Sequence, residues 1–418
     1  MFNQYRIPRE NLLNRAADVT EDGQYVSSFS DPSKILGAAL ENLSAVQHSS
    51  TVVDVSNNIS CTNWPRPVKY HDLTKDKRQV EQWRLFGYVA AAVVFRIYIQ
   101  SFAQVYLNIV EKSHMGENVD NLSEAVSEIH AMVSCSKPLL TWTTMEAAQQ
   151  CREACGGHGY LKCANLGDIR SNHEPTVTYE GDNNVLQQQA GNWLLRQYSA
   201  ARAGELLDCP LNTVTFLRHH NTVASLVFTA NNTAQLKTTQ FIMSTYKWLI
   251  CYLLKQTYDK YEALLAKGLT KFQAKNKSQV YRWRNLTKAY SEYLALMFSL
   301  EAIEKKEETL KPVLYKLFTL YGLWSLDRHL VELYQGGYCV GEEPAKLLRE
   351  AVMELCSDLK SEIVSVVDAL APTDFVLNSV LAKSDGRLYQ NLQKALVGHP
   401  GTFERAHWWR QVVPSAKL

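Results

Sequence analysis

Apolar residues recur at helical spacing through almost all of the second half of this chain. Ile242, Tyr246, Leu249 and Leu253 follow one another at intervals of four, three and four. Leu314, Leu317, Tyr321 and Trp324 fall at three, four and three, and Leu348, Val352, Leu355 and Leu359 repeat the pattern. Each set makes one apolar face of a helix. Strand signals are nearly absent, so the fold class predicted is all-α. With 418 residues the chain exceeds what one small core organises, and two or three domains are expected.

Composition narrows the function classes. The net charge of +2 gives no overall field favouring nucleic acid or an anionic membrane. No unbroken run of eighteen apolar residues is present, and Arg96 ends the longest, Tyr88–Phe95, so no membrane span is expected. The N-terminus MFNQYRIPRE lacks the apolar centre of a secretory signal. Nine cysteines, an odd number without a regular framework, read as reduced thiols of a non-secreted protein.

Val26–Phe29 reads as a strand followed by loop. Asp31 and Pro32 read as the cap and first turn of a short helix reaching about Gln47. Residues 49–78, with two prolines and a polar tail, are expected to be irregular and protease-sensitive. A long helix is predicted from Gln79 to about Lys112. Another is predicted from Leu122 towards Cys155, kinked at Pro138 and ended by the glycines of Gly156–Gly159. A loop is expected over Tyr160–Gly181, then a helix capped by Asp182 or Asn183 and reaching Ala203. Leu206–Asn212 reads as a linker.

The stretch Cys151–Asn184 concentrates the chemistry. Gly156, Gly157 and Gly159 could turn backbone N–H groups towards a pyrophosphate, although a helix end plus a turn explains them equally well. No strand precedes them, so they do not form a dinucleotide fingerprint. Glu180, in Thr178-Tyr179-Glu180-Gly181-Asp182-Asn183-Asn184, could act as a base if desolvation raised its pKa. A solvated carboxylate ahead of a helix N-terminus is the alternative. Cys151, Cys155, His158 and Cys163 are spaced too irregularly for a zinc site and read as buried or capping thiols. The chain closes on Ala416-Lys417-Leu418, a variant of the Ser-Lys-Leu peroxisomal address, or else a frayed end.

Taken with Arg6-Ile7-Pro8-Arg9, Gln82-Trp83-Arg84-Leu85 and Tyr246-Lys247-Trp248-Leu249, the segments Cys151–Tyr160 and Thr178–Asn184 resemble the peroxisomal acyl-CoA oxidases. The branched-chain, pristanoyl-type members are the nearest in pattern. The resemblance covers Phe2–Val46 and Gln79–Leu418. It implies an FAD enzyme of fatty-acid β-oxidation in the peroxisomal matrix that converts acyl-CoA and O2 to trans-2-enoyl-CoA and hydrogen peroxide. Glu180 would be the base, with its backbone N–H polarising the thioester carbonyl. Glu153, Gly156 and Gly157 would meet the flavin of a neighbouring subunit, and Asp182, Asn183 and Asn184 the flavin beside the base. The tripeptide Ala416, Lys417 and Leu418 would engage the peroxisomal import receptor.

The resemblance also implies a domain order. Residues 1–30 would be a remnant of the flavin-binding β domain, residues 31–205 a helical bundle with the base, and residues 213–418 the C-terminal oxidase domain. Family members carry a helical and a β-barrel domain ahead of the Arg6-Ile7-Pro8 segment, and an arginine-bearing helix that residues 49–78 do not match. Three readings follow. The chain works as a homodimer, or as a heterodimer with a full-length oxidase. It is an inactive homologue acting as an interaction subunit. Or it is a fragment of a longer enzyme.

Overall fold

The computed structural model describes Pro8 and residues 17–27, 79–114 and 122–412. The expected helix from Asp31, the irregular stretch 49–78 and the terminal tripeptide lie outside these residues. A short antiparallel pair, β1 (Ala17–Val19) and β2 (Tyr25–Ser27), comes first, with Asp18 opposite Val26. β2 overlaps the expected strand but starts one residue earlier, after a turn in which Gly23 takes a φ of +84°.

The rest is helical, as the apolar periodicity requires. α1 (Gln79–His114) and α2 (Leu122–Ala154) precede the short α3 (Leu166–His173) and α4 (Asn183–Ala203). α5 (Thr239–Ala266), α6 (Lys271–Glu304), α7 (Lys311–Asp327), α8 (Glu343–Leu359), α9 (Ile363–Leu370) and α10 (Leu388–Val397) follow. α6 is the central element, packing on α1, α2, α4, α5 and α7. A single buried cluster therefore runs from Leu85 on α1 to Val367 on α9, through Leu194, Leu249, Leu294 and Phe318.

α1 shows why the count of unbroken apolar runs was too narrow a test. Over Gln79–Ile109 it is long and apolar enough, by composition, to cross a membrane, yet 72% of its apolar window is buried inside the fold. It is apolar round most of its circumference because α2, α6, α7 and α8 surround it.

α2 runs unbroken through Pro138. Beyond the proline, the hydroxyls of Thr141, Thr143 and Thr144 each donate to the carbonyl four residues back, at 2.7–2.8 Å. The Leu206–Asn212 segment is not a free tether. The buried Glu128 of α2 accepts hydrogen bonds from Leu211 N (2.8 Å), Thr213 N (3.1 Å) and Thr213 Oγ1 (2.5 Å). Gln197 of α4 brackets the backbone of Asp208 with two bonds of 3.1 Å.

Candidate functional site

α2 ends at Ala154, and Gly156 follows in the left-handed region at φ +58°, as a glycine past a helix end does. From there the chain folds back along α2. The stretch Tyr160–Gly181 was expected to be a loop, but it contains α3 and short 3₁₀ turns at Lys162–Ala164 and Glu174–Val177. Eight residues with only two buried side chains, Leu166 and His173, are too few for a visible apolar period. Arg170 of α3 donates to Gln149 of α2, which ties the returning strand of chain to the helix.

This return brings Thr178–Asn184 over the middle of α2. Glu180 is exposed and takes a φ of +56°, a left-handed conformation uncommon for a residue with a side chain. Gly181 follows at φ +108°. Asp182 then caps α4, its carboxylate accepting from Asn184 N (2.9 Å) and Val185 N (3.3 Å). Asn183 is 1% exposed, and its amide faces inward, away from solvent. Asn184 is exposed.

Beneath this loop lies Lys137, which the sequence analysis did not single out. It is 3% exposed. Its Nζ donates to the carbonyl of Gly181 at 2.7 Å and to Asn183 Oδ1 at 3.0 Å. Asn183 Nδ2 donates in turn to Thr141 Oγ1 (2.9 Å), and Thr141 Oγ1 to the carbonyl of Lys137 (2.8 Å), closing a ring of bonds. Burial pulls the Lys137 ammonium down to about 8, against the opposing pull of the Glu180 and Asp182 carboxylates. His173 completes the group. It is bonded to the Thr141 backbone, and burial lowers its pKa. The sequence signal that could have found Lys137 is its setting, a lysine inside Met132–Leu140, where a buried charge must be paired.

The glycine cluster sits elsewhere. From Lys137 to Glu153 is on the order of 24 Å along α2, at about 1.5 Å per residue. Glu153 is exposed and bonded to Arg84 of α1 and to Gln149 (2.5 Å), and these neighbours hold its carboxyl below the usual range, Gln149 first and Arg84 second. Arg84 also donates to Gln150 Oε1 at 2.5 Å. A side chain at Gly156 or Gly157 would begin in open space, whereas one at Gly159 would meet the Arg152 carbonyl. Cys151 and Cys155 are reduced thiols, and burial pushes the Cys151 thiol up to about 12. The structure thus brings Glu180, Gly181, Asp182 and Asn183 together over Lys137. It leaves Glu153, Gly156 and Gly157 as a separate group at the far end of α2.

Two family models match this chain. "Acyl-CoA oxidase" covers residues 238–417, and "Acyl-CoA oxidase, C-alpha1 domain" covers residues 77–195. Among curated proteins, the human peroxisomal acyl-coenzyme A oxidase 3 is 38% identical over 98% of this chain and 60% of its own length. The acyl-coenzyme A oxidase acox-3 of Caenorhabditis elegans is 32% identical over 97% of this chain and 61% of its own length. Among solved structures, Arabidopsis thaliana acyl-CoA oxidase 1 superposes with a TM-score of 0.81 at 23% identity, covering 98% of this chain and 63% of that one. Acyl-CoA oxidase-1 of Caenorhabditis elegans, complexed with FAD and ATP, superposes at 0.77 with 22% identity, covering 98% and 60%. The shared fold is the helical architecture of the acyl-CoA oxidases. This chain belongs to the acyl-CoA oxidase family, and it spans about 60% of the length of the curated relatives it matches.

Proposed function

We propose that this chain is the polypeptide of a peroxisomal, FAD-dependent acyl-CoA oxidase that bears the catalytic base. It would convert acyl-CoA and O2 to trans-2-enoyl-CoA and hydrogen peroxide, with Glu180 taking the α-proton. The observation that carries this reading is the presentation of Glu180. The carboxylate stands out from a left-handed backbone position, on a loop pinned from beneath by Lys137 and ended by a capped helix. Such an exposed group faces the side from which a ligand would come while its backbone stays fixed. Its exposure leaves the desolvation a base needs to the acyl chain and cofactor that pack over it.

The residues present fit a flavin on two counts. The open space at Gly156 and Gly157 lets a ligand approach the backbone closely. The separation of that cluster from Lys137 beneath the Glu180 loop, on the order of 24 Å along α2, suits two cofactors held by two subunits rather than one. Gly156, Gly157 and the Glu153 carboxylate would then serve the partner's flavin, and Asn184 with the backbone around Asp182 the flavin beside the base. Asn183, whose amide is committed to Lys137 and Thr141, would contribute through position rather than side-chain contact. The chemistry FAD supplies when bound is acceptance of hydride from Cβ and delivery of two electrons to oxygen.

A dimer, either of this chain or with a full-length oxidase, follows from the same division of contacts. Ala416-Lys417-Leu418 supports delivery to the peroxisome through its import receptor. The test is hydrogen peroxide release from a long-chain or branched acyl-CoA by the protein supplied with FAD. Glu180→Gln should cut the rate by about 1,000-fold or more while leaving flavin binding intact. Equal rates from both proteins would refute the assignment.

A further inference from the structure

The ring of bonds around Lys137 does more than the burial of a lysine requires. A buried ammonium is satisfied by any set of acceptors. Here both named acceptors belong to residues just after Glu180, and the second is itself held by Thr141 on the turn of α2 that follows Lys137. The Gly181 carbonyl lies on the peptide that joins the two left-handed residues to the helix cap, so the ammonium fixes the direction in which Glu180 leaves the backbone. It also places one positive charge under two carboxylates, those of Glu180 and Asp182.

We propose that Lys137 is the positioning residue of the base, holding the Glu180 loop through Gly181 and Asn183. The proposal rests on the reading of Glu180 as the base. Lys137 touches no substrate and acts only through the loop. Other titratable or charged groups close to this part of α2 are His173 of α3, beside Thr141, and from α6 Tyr290 and Arg284, which lie by Cys135 and Trp142. The charges that act on Lys137 are those of Glu180 and Asp182.

The experiment compares wild type, Lys137→Met, Lys137→Gln and Glu180→Gln as FAD-supplied protein, in turnover and in amide hydrogen exchange. Lys137→Met should lower kcat by about 10- to 100-fold with KM within about twofold, since misplacement of a catalytic group acts on the chemical step. Lys137→Gln keeps a donor to the loop and should restore part of kcat. Exchange over residues 179–184 should rise in Lys137→Met with α5 and α6 unchanged.

If Glu180→Gln abolishes turnover while Lys137→Met keeps wild-type kcat and wild-type exchange over 179–184, the positioning role is wrong and the base assignment stands. If Glu180→Gln turns over normally, the base assignment fails and the exchange measurement alone decides whether Lys137 holds the loop. Unchanged protection over 179–184 would then overturn the proposal.

Discussion

The backbone N–H of Val380 donates to the carbonyl oxygen of Cys163 at 2.9 Å, so a segment near the end of the chain holds the stretch that follows the glycine cluster. Around this bond, Ser379 Oγ donates to the Ala164 carbonyl (2.7 Å) and Asn165 Nδ2 to the Leu377 carbonyl (3.0 Å). Leu381, Leu388 and Leu392 bury themselves against Cys155, Ala164 and Leu166 in a cluster separate from the main core. Leu388→Ala should therefore cost about 2–3 kcal/mol locally. Amide exchange should rise over residues 155–166 while α5 and α6 stay protected, and the Lys137 ring should be untouched.

Gly191 lets α4 approach α6, because a side chain there would run into the indole of Trp283. Trp283 is 2% exposed and has nowhere to move without opening the core. Gly191→Ala should destabilise the protein by about 1–3 kcal/mol despite the better helix propensity of alanine. Urea denaturation with an unchanged m-value would register it.

Glu292 on α6 lies in the same core at 2% exposure, with His329 Nε2 at 2.7 Å and Tyr246 Oη at 3.2 Å. Burial alone would raise its pKa, but the charges of His329 and Lys288 overcome that and hold the carboxyl below its ordinary value. A carboxyl depressed in the folded state contributes stability above its unfolded pKa, which falls away as pH drops through about 4.5 and below. His329→Ala leaves a buried carboxylate short of its partner and should cost about 3–5 kcal/mol at neutral pH. The loss should shrink below about pH 4, and denaturation at pH 7 and pH 4 would show the difference.

Asp182 satisfies two backbone N–H groups at the start of α4. Asp182→Ala should cost about 1 kcal/mol. Because the carboxylate also favours the charged form of Lys137, its removal should lower the Lys137 pKa below the present value of about 8. Lysine Nζ chemical shifts followed across pH 6–10 would report the change.

The helices were legible because their apolar residues had to face inward. α1 was placed to within two residues of its end, and the Asp182 cap and the glycine end of α2 followed from local backbone chemistry. The Glu180 segment was legible as a motif, but its support was not. Lys137 lies some forty positions earlier on α2, and only the return of the chain through α3 places it under Gly181. α3 was read as loop because so short a helix buries too little to show a period. The same dependence on tertiary contacts explains Leu206–Asn212, which with Cys209-Pro210 reads as a linker although the buried Glu128 pins it.

The most direct test of the account is the visible spectrum of the purified protein after mixing with excess FAD and gel filtration, followed by anaerobic addition of a long-chain or branched acyl-CoA. The account predicts an oxidised-flavin spectrum that bleaches on addition of the acyl-CoA and returns with oxygen. In Glu180→Gln the same spectrum should persist unbleached. A protein that retains no flavin, or a Glu180→Gln variant that bleaches as fast as wild type, would contradict it.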